Sequence, residues 1–229
     1  MRDERATRSA SDLVTVSVQN ASSRDAPNLD RNAMDATDSY RILQNLSSPI
    51  IALTARDGDK LNGMILNSAI RASLVPGAQR VSHYVFKGHL THEMLVASGR
   101  YILHLTSRDQ WDEIWALGFS SGRDTDKLDG LSYRLSDAGL PILERCYAWM
   151  ECEVANVMDA GPATFFMGDI TAMGYGSGEA MMDSAHFRAH MPEGWRDAYL
   201  ENLRTAQEAA AAFTEPLDDR AWRELRGER

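Results

Sequence analysis

The residues best suited to hold a ligand lie in one stretch, Asn62-Gly63-Met64-Ile65-Leu66-Asn67-Ser68-Ala69-Ile70-Arg71-Ala72-Ser73. Asn67, Ser68 and Ser73 offer small amide and hydroxyl groups that hydrogen-bond a bound molecule without filling its slot. Gly63, lacking a Cβ, lets backbone N–H groups come close. The same polar residues also serve as turn and strand residues that satisfy their own backbone, so their chemistry depends on what surrounds them. The nearest cationic side chains in sequence are Arg71 and Lys87, followed by Arg123 and Lys127 in a polar loop, Ser120 to Leu128. Wherever an acidic chain holds an anionic group, one or two of these must gather, because a charge-assisted hydrogen bond is about twice as strong as a neutral one. Lys87 and Lys127 read equally well as solvated surface charges. Trp111, Trp115 and Phe119 are able to cover a flat ring or to pack in a core.

The remaining reactive residues read as structural. His186 and His190 are four apart and His89 and His92 three apart, but neither pair has a third ligand at metal spacing, so no metal site is expected. Cys146 and Cys152 alternate with Tyr147, Trp149 and Glu151 in a pattern of period two, which reads as a strand. Their sulfurs would then stand about 20 Å apart, too far for a disulfide, and both are expected as buried thiols in a reducing cytoplasm. Gly174-Tyr175-Gly176-Ser177-Gly178 lacks the Lys-Ser/Thr of a phosphate loop and reads as a flexible connector. No Gly-x-Ser-x-Gly elbow stands in a strand–turn–helix context, so hydrolase chemistry has no support.

The elements that position these residues are short. Ile50 to Ala55 is a compact apolar run followed by Asp57-Gly58, a hairpin turn signal. Val81 to Phe86 and Tyr101 to Thr106 read as strands, as does Thr164 to Ala172 after the turn Asp159-Ala160-Gly161-Pro162. Thr91 is placed to cap a helix from His92 to Ser98 that stops at Gly99. Ser107 and Gln110 have capping-box spacing ahead of a short helix ending at Gly118. Short strands with two small helices between them predict a closed or nearly closed antiparallel barrel rather than a doubly wound sheet. Beyond Pro192, the residues Trp195, Tyr199, Leu203, Ala206, Ala210 and Phe213 recur at helical spacing. That long C-terminal helix must bury its stripe on the barrel or on a second subunit, and residues 218–229 are expected to fray or to add one loose turn. Residues 1–39 are polar and read as a disordered arm, 40–175 as the barrel domain and 176–229 as a helical extension.

Composition narrows the partners. The chain has 229 residues and 25.5 kDa, enough for a core without disulfide or metal staples. A net charge of -9 repels phosphate backbones, which excludes nucleic acid as an expected partner. No apolar run approaches the roughly 20 residues needed to span a bilayer, and the N-terminus has no signal-peptide core. A cytoplasmic protein is expected.

The stretch from Asn62 to Pro76 resembles the signature of the flavin reductase-like family, the FMN-binding split β-barrels. Ser98-Gly99-Arg100-Tyr101, Gly118-Phe119-Ser120 through Lys127, Gly139-Leu140-Pro141-Ile142-Leu143, Ala148 to Cys152 and Gly168-Asp169-Ile170 are similar to further family segments in the same order, over about Ser47 to Ala172. The resemblance implies a mainly β split barrel with short helices and a C-terminal helix, binding FMN or FAD through Asn62, Gly63, Met64, Asn67, Ser68, Ser73, Lys87, Phe119, Ser120 and Lys127. It implies a homodimer that moves a hydride from NAD(P)H to flavin N5 and hands reduced flavin to a partner monooxygenase. The alternatives are a flavoenzyme acting directly on an organic substrate and a non-catalytic flavin carrier. Many members carry Gly-Asp-His where this chain has Gly161-Pro162-Ala163, so a nicotinamide has to be positioned by another residue. No catalytic side chain is assigned.

Overall fold

The computed structural model describes residues 46, 49–75, 77–211, 217 and 219–227. The expected N-terminal arm, 1–39, lies outside the described residues. The described residues fall within one compact unit, Asn45–Arg229, so the C-terminal segment belongs to the same unit as the sheet.

β1 (Ile51–Asp57) and β2 (Lys60–Leu66) form the expected hairpin, with Asp57 opposite Lys60 across Gly58-Asp59. Together with β3 (Ile70–Arg71), β4 (Arg80–Phe86), β5 (Arg100–Leu105), β8 (Ala148–Asp159) and β9 (Ala163–Tyr175) they make a seven-stranded sheet ordered β2-β1-β5-β8-β9-β4-β3. Its strand pairs are antiparallel. The edge strands β2 and β3 are consecutive in sequence, joined only by residues 67–69. Four Cα steps reach at most about 15 Å, whereas seven flat strands would hold their edges about 29 Å apart. The sheet therefore curls, as a split barrel does. β6 (Tyr133–Leu135) and β7 (Pro141–Leu143) form a separate two-stranded ladder.

The apolar run of β1 is explained by burial on both faces. Ile51, Leu53 and Ala55 join Tyr101, Leu103, Val85 and Phe166 in the main core, where α1 (Leu90–Ser98) adds Met94 and Leu95. Ala52 points the other way, toward Leu128, Leu143 and the Leu117 side chain of α2 (Trp111–Gly118). α3 (Ser184–His190), α4 (Trp195–Ala210) and α5 (Arg220–Leu225) follow β9. Among the described residues no helix is long and apolar enough to cross a membrane.

Several local expectations are corrected. Thr91 does not cap α1; the helix begins at Leu90 after His89, and Thr91 Oγ1 accepts a hydrogen bond from Asn62 Nδ2 at 3.0 Å. The capping box is half made: Gln110 Oε1 accepts from the Ser107 backbone N–H, but the Ser107 hydroxyl is turned to two other acceptors, Asp109 and the Arg145 carbonyl, for its single O–H. Cys146 is not in the cysteine strand, since β8 starts two residues later. It lies in the preceding turn, buried and free like Cys152. The glycine run 174–178 is no loose connector: Gly174 ends in β9, and a Cβ at Gly176 or Gly178 would collide with Cys146 or with Ser107 and the Arg145 carbonyl. His186 and His190 share a helix face and stack on each other at 4.0 Å.

Candidate functional site

Two adjoining cavities, about 370 Å³ and about 190 Å³, open where the end of β2, the end of β4, the entry to α1, the loop after α2 and one face of α4 converge. Met64, Phe86, His89, Gly118, Ser120, Lys127 and Ala206 line both, so the two form one cleft.

Of the residues proposed from sequence, Asn62, Met64, Phe119, Ser120 and Lys127 line the larger cavity, and Met64, Asn67, Ser68, Ser120 and Lys127 the smaller. Asn62 is buried and its Oδ1 has no hydrogen-bond partner among the described residues. Ser68 donates to the Tyr84 carbonyl at 3.2 Å, and Ser120 to the Ala116 carbonyl at 2.8 Å. Phe119 stacks on Trp115 at 4.5 Å and meets Trp195 at 5.2 Å. Gly63 is needed for packing rather than for open approach: a Cβ there would lie 2.8 Å from Leu117 Cδ2 and 3.1 Å from the Leu53 carbonyl oxygen. Ser73 and Lys87 line neither cavity. The Ser73 hydroxyl accepts from the Val75 N–H, closing a local turn, and Lys87 pairs with Asp159 at 2.9 Å.

Lys127 sets the electrostatics. Its ammonium is buried and donates to the carbonyls of Leu117 at 2.7 Å and Gly63 at 3.0 Å. An ammonium has three N–H groups, which leaves one for the cleft. Burial pushes its pKa down to about 8. Arg123, on the rim, is held by a two-pronged pair with Glu93. His89 is kept below the usual imidazole range by loss of hydration and by the charges of Lys127, His92 and Arg123. The floor of the cleft is thus cationic in a chain of net charge -9.

His89 and the α4 residues Asn202, Thr205 and Ala209 also line the larger cavity, and sequence reasoning did not assign them to the site. The helical spacing from Trp195 onward was visible, but nothing local says which surface that helix faces. Trp195 anchors α4 against Trp111 at 5.7 Å and Trp115 at 4.7 Å. Buried titratable groups elsewhere hold the fold together. His104 bridges the Ala52 carbonyl and the Leu143 N–H, tying the two sheets.

Residues 43–193 match the family model described as a flavin reductase like domain. The chain is 32% identical over 133 residues to a high molecular weight rubredoxin of Moorella thermoacetica, covering 57% of this chain and 57% of that protein's length. It is 30% identical over 125 residues to the NADH-dependent flavin reductase StyB of Pseudomonas fluorescens, covering 55% of this chain and 69% of that one. The solved structure of the styrene monooxygenase flavin reductase from Pseudomonas putida S12 superposes with a TM-score of 0.51 at 28% identity, over 59% of this chain and 87% of that one.

Proposed function

The chain belongs to the flavin reductase-like family, and from that premise we propose that it binds FMN or FAD in the cleft above Lys127 and reduces it with a hydride from NADH or NADPH. The observation that carries the reading is the convergence of Asn62, Met64, Asn67, Ser68, Ser120 and Lys127, from separate parts of the chain, on one cleft. Its larger cavity, about 370 Å³, falls within the roughly 300–1,000 Å³ typical of small-molecule sites.

The residues present fit a flavin nucleotide. The buried Asn62 Oδ1 is an unpaired acceptor suited to an imide N–H, and burying such an atom unpaired costs about 1–3 kcal/mol that a ligand donor recovers. Lys127, backed by Arg123, supplies positive charge for a phosphate. Met64, Phe86 and Phe119 give apolar wall for a ring and exclude water. When bound, the flavin supplies a ring that takes up a hydride and releases two electrons to an acceptor. Hydride transfer is governed by alignment at about 3–3.5 Å rather than by proton transfer, so the task of the chain is to hold two planar partners together. Similarity to an NADH-dependent flavin reductase and to the flavin reductase of a styrene monooxygenase supports a nicotinamide donor and a partner monooxygenase. A second reading, direct action on an organic substrate, draws on the Pro162-Ala163 turn that replaces the Asp-His of many family members, with Pro162 lining the larger cavity. We also propose a homodimer, with the exposed Val157 and Met158 of β8 as contact residues.

Purified protein titrated with FMN and FAD, then mixed anaerobically with NADH or NADPH, tests the reading. Rapid loss of the visible flavin absorbance is expected, from a species of about twice 25.5 kDa. Asn67→Ala is expected to weaken flavin binding by about 1–2 kcal/mol. Bound flavin that neither nicotinamide bleaches favours the second reading, and absence of flavin binding overturns both.

A further inference from the structure

The two walls of the cleft differ in chemistry. One, built from the end of β2, the entry to α1 and the loop after α2, carries the charged Lys127 and Arg123. The other is one face of α4, and it brings no charged side chain to the cavity. Its polar groups are the Asn202 amide and the Thr205 hydroxyl. With Ala206 and Ala209 they fall at i, i+3, i+4 and i+7, a single helix face. Alanines keep that face flat, because each projects only a methyl. All of α4, including Asn202 and Thr205, follows residue 193, where the family match ends. The α4 residues of the cleft thus lie beyond the matched part of the chain.

Resting on the flavin reading above, we propose that Asn202 and Thr205 are positioning residues for the hydride donor. The alanine face of α4 lies against its planar nicotinamide ring, and the Asn202 amide and Thr205 hydroxyl bind its carboxamide. A neutral primary carboxamide offers one oxygen acceptor and two N–H donors, the same set as an asparagine side chain, so the two pair reciprocally. The flavin phosphate is drawn to the cationic wall, where Lys127 donates to two carbonyls and has a third N–H. Asn202 and Thr205 are exposed in the open cleft, so a ligand meets them without displacing buried packing. The helix is held at its start by Trp195, wedged among Trp111, Trp115 and Phe119. Farther along, the pKa of Tyr84 in β4 is raised by burial and then by the nearby Tyr199, which puts this part of α4 beside the end of β4.

The test uses the full chain carrying Asn202→Ala with Thr205→Val, and Arg204→Ala as a control. Arg204 pairs with Glu201 and Glu208 on the helix surface, away from the cleft. Flavin affinity is measured by fluorescence titration, and nicotinamide half-saturation by anaerobic stopped-flow bleaching with whichever of NADH and NADPH the parent uses. Flavin affinity is expected to hold, while the concentration of nicotinamide for half-maximal bleaching rises about tenfold, equivalent to roughly 1.4 kcal/mol. Thr205→Ser should restore most of the loss when Asn202 is intact, and the Arg204 control should match the parent. Unchanged half-saturation in the double variant, or equal losses of flavin and nicotinamide affinity, overturns the assignment and leaves the flavin reading standing. A parent protein whose bound flavin no nicotinamide bleaches overturns both the assignment and the nicotinamide-dependent reduction, and leaves flavin binding standing.

Discussion

Lys127 shows how burial changes the chemistry of an ordinary surface residue type. Two backbone carbonyls hold its ammonium, at Gly63 and Leu117, and desolvation lowers its pKa to about 8. The sign for ligand binding follows directly. Below pH 8 the group is charged and attracts an anionic nucleotide; as pH rises through 8 in the free protein the proton leaves and that attraction is lost. Arg123 stays charged over this range, and His89, its pKa lowered, is already neutral, so neither masks the change. FMN affinity measured by fluorescence is therefore expected to fall between pH 7 and 9. Lys127→Met is expected to weaken FMN binding at pH 7 by about 1.5–3 kcal/mol, the worth of a hydrogen bond to a charged group, and to flatten the pH dependence. A variant with the parent's pH profile would place the titrating group elsewhere.

At the level of elements, the curl of the sheet brings side chains from distant strands into one interior, and glycines mark where they crowd. Gly168 of β9 pairs with Val81 of β4 and Val154 of β8. A Cβ at that position would lie 2.2 Å from the Tyr101 hydroxyl and 3.3 Å from Cys152 Cβ. Tyr101 reaches there from β5, and its hydroxyl has no hydrogen-bond partner among the described residues. Gly168→Ala is expected to destabilise by about 1–3 kcal/mol through overpacking. Tyr101→Phe, which removes an unpaired buried oxygen, should cost little alone and recover part of the loss in the double variant. Urea unfolding of the two single variants and the double measures the coupling; strict additivity would show that the two positions do not meet.

The whole molecule inherits an acid sensitivity from its buried histidines. His83 is enclosed between Tyr101 and Phe166 with neither ring nitrogen bonded among the described residues, and burial lowers its pKa to about 3. His104 is lowered to about 4, again by burial, the bond to the Ala52 carbonyl opposing the shift. Between the unfolded value near 6.5 and these folded values the unfolded chain binds protons that the folded chain refuses, so stability falls as pH falls through that window. The urea midpoint is expected to drop steadily from pH 7 to pH 5. His83→Phe, which keeps a ring between Tyr101 and Phe166, should make the drop shallower. An equally steep decline in that variant would assign the sensitivity to other groups.

What was legible in the sequence is what local chemistry decides. The Asp57-Gly58 hairpin, the stop at Gly99, the strands on either side of Gly161-Pro162 and the helical spacing after Trp195 are each set within a few residues by turn geometry and periodicity. Asn62, Met64, Asn67, Ser68, Ser120 and Lys127 were legible as ligand-holding candidates because two short stretches contain them. Ser73 and Lys87 carried the same kind of signal, yet one closes its own turn and the other pairs across a strand end. Side-chain type does not encode direction. Only the tertiary structure buried Lys127 at the cleft, spent Gly63 on contact with Leu117, and brought Asn202 and Thr205 to the same cavity. Those placements join residues 62, 127 and 202, and such distant positions meet only after the sheet has curled and α4 has docked through Trp195.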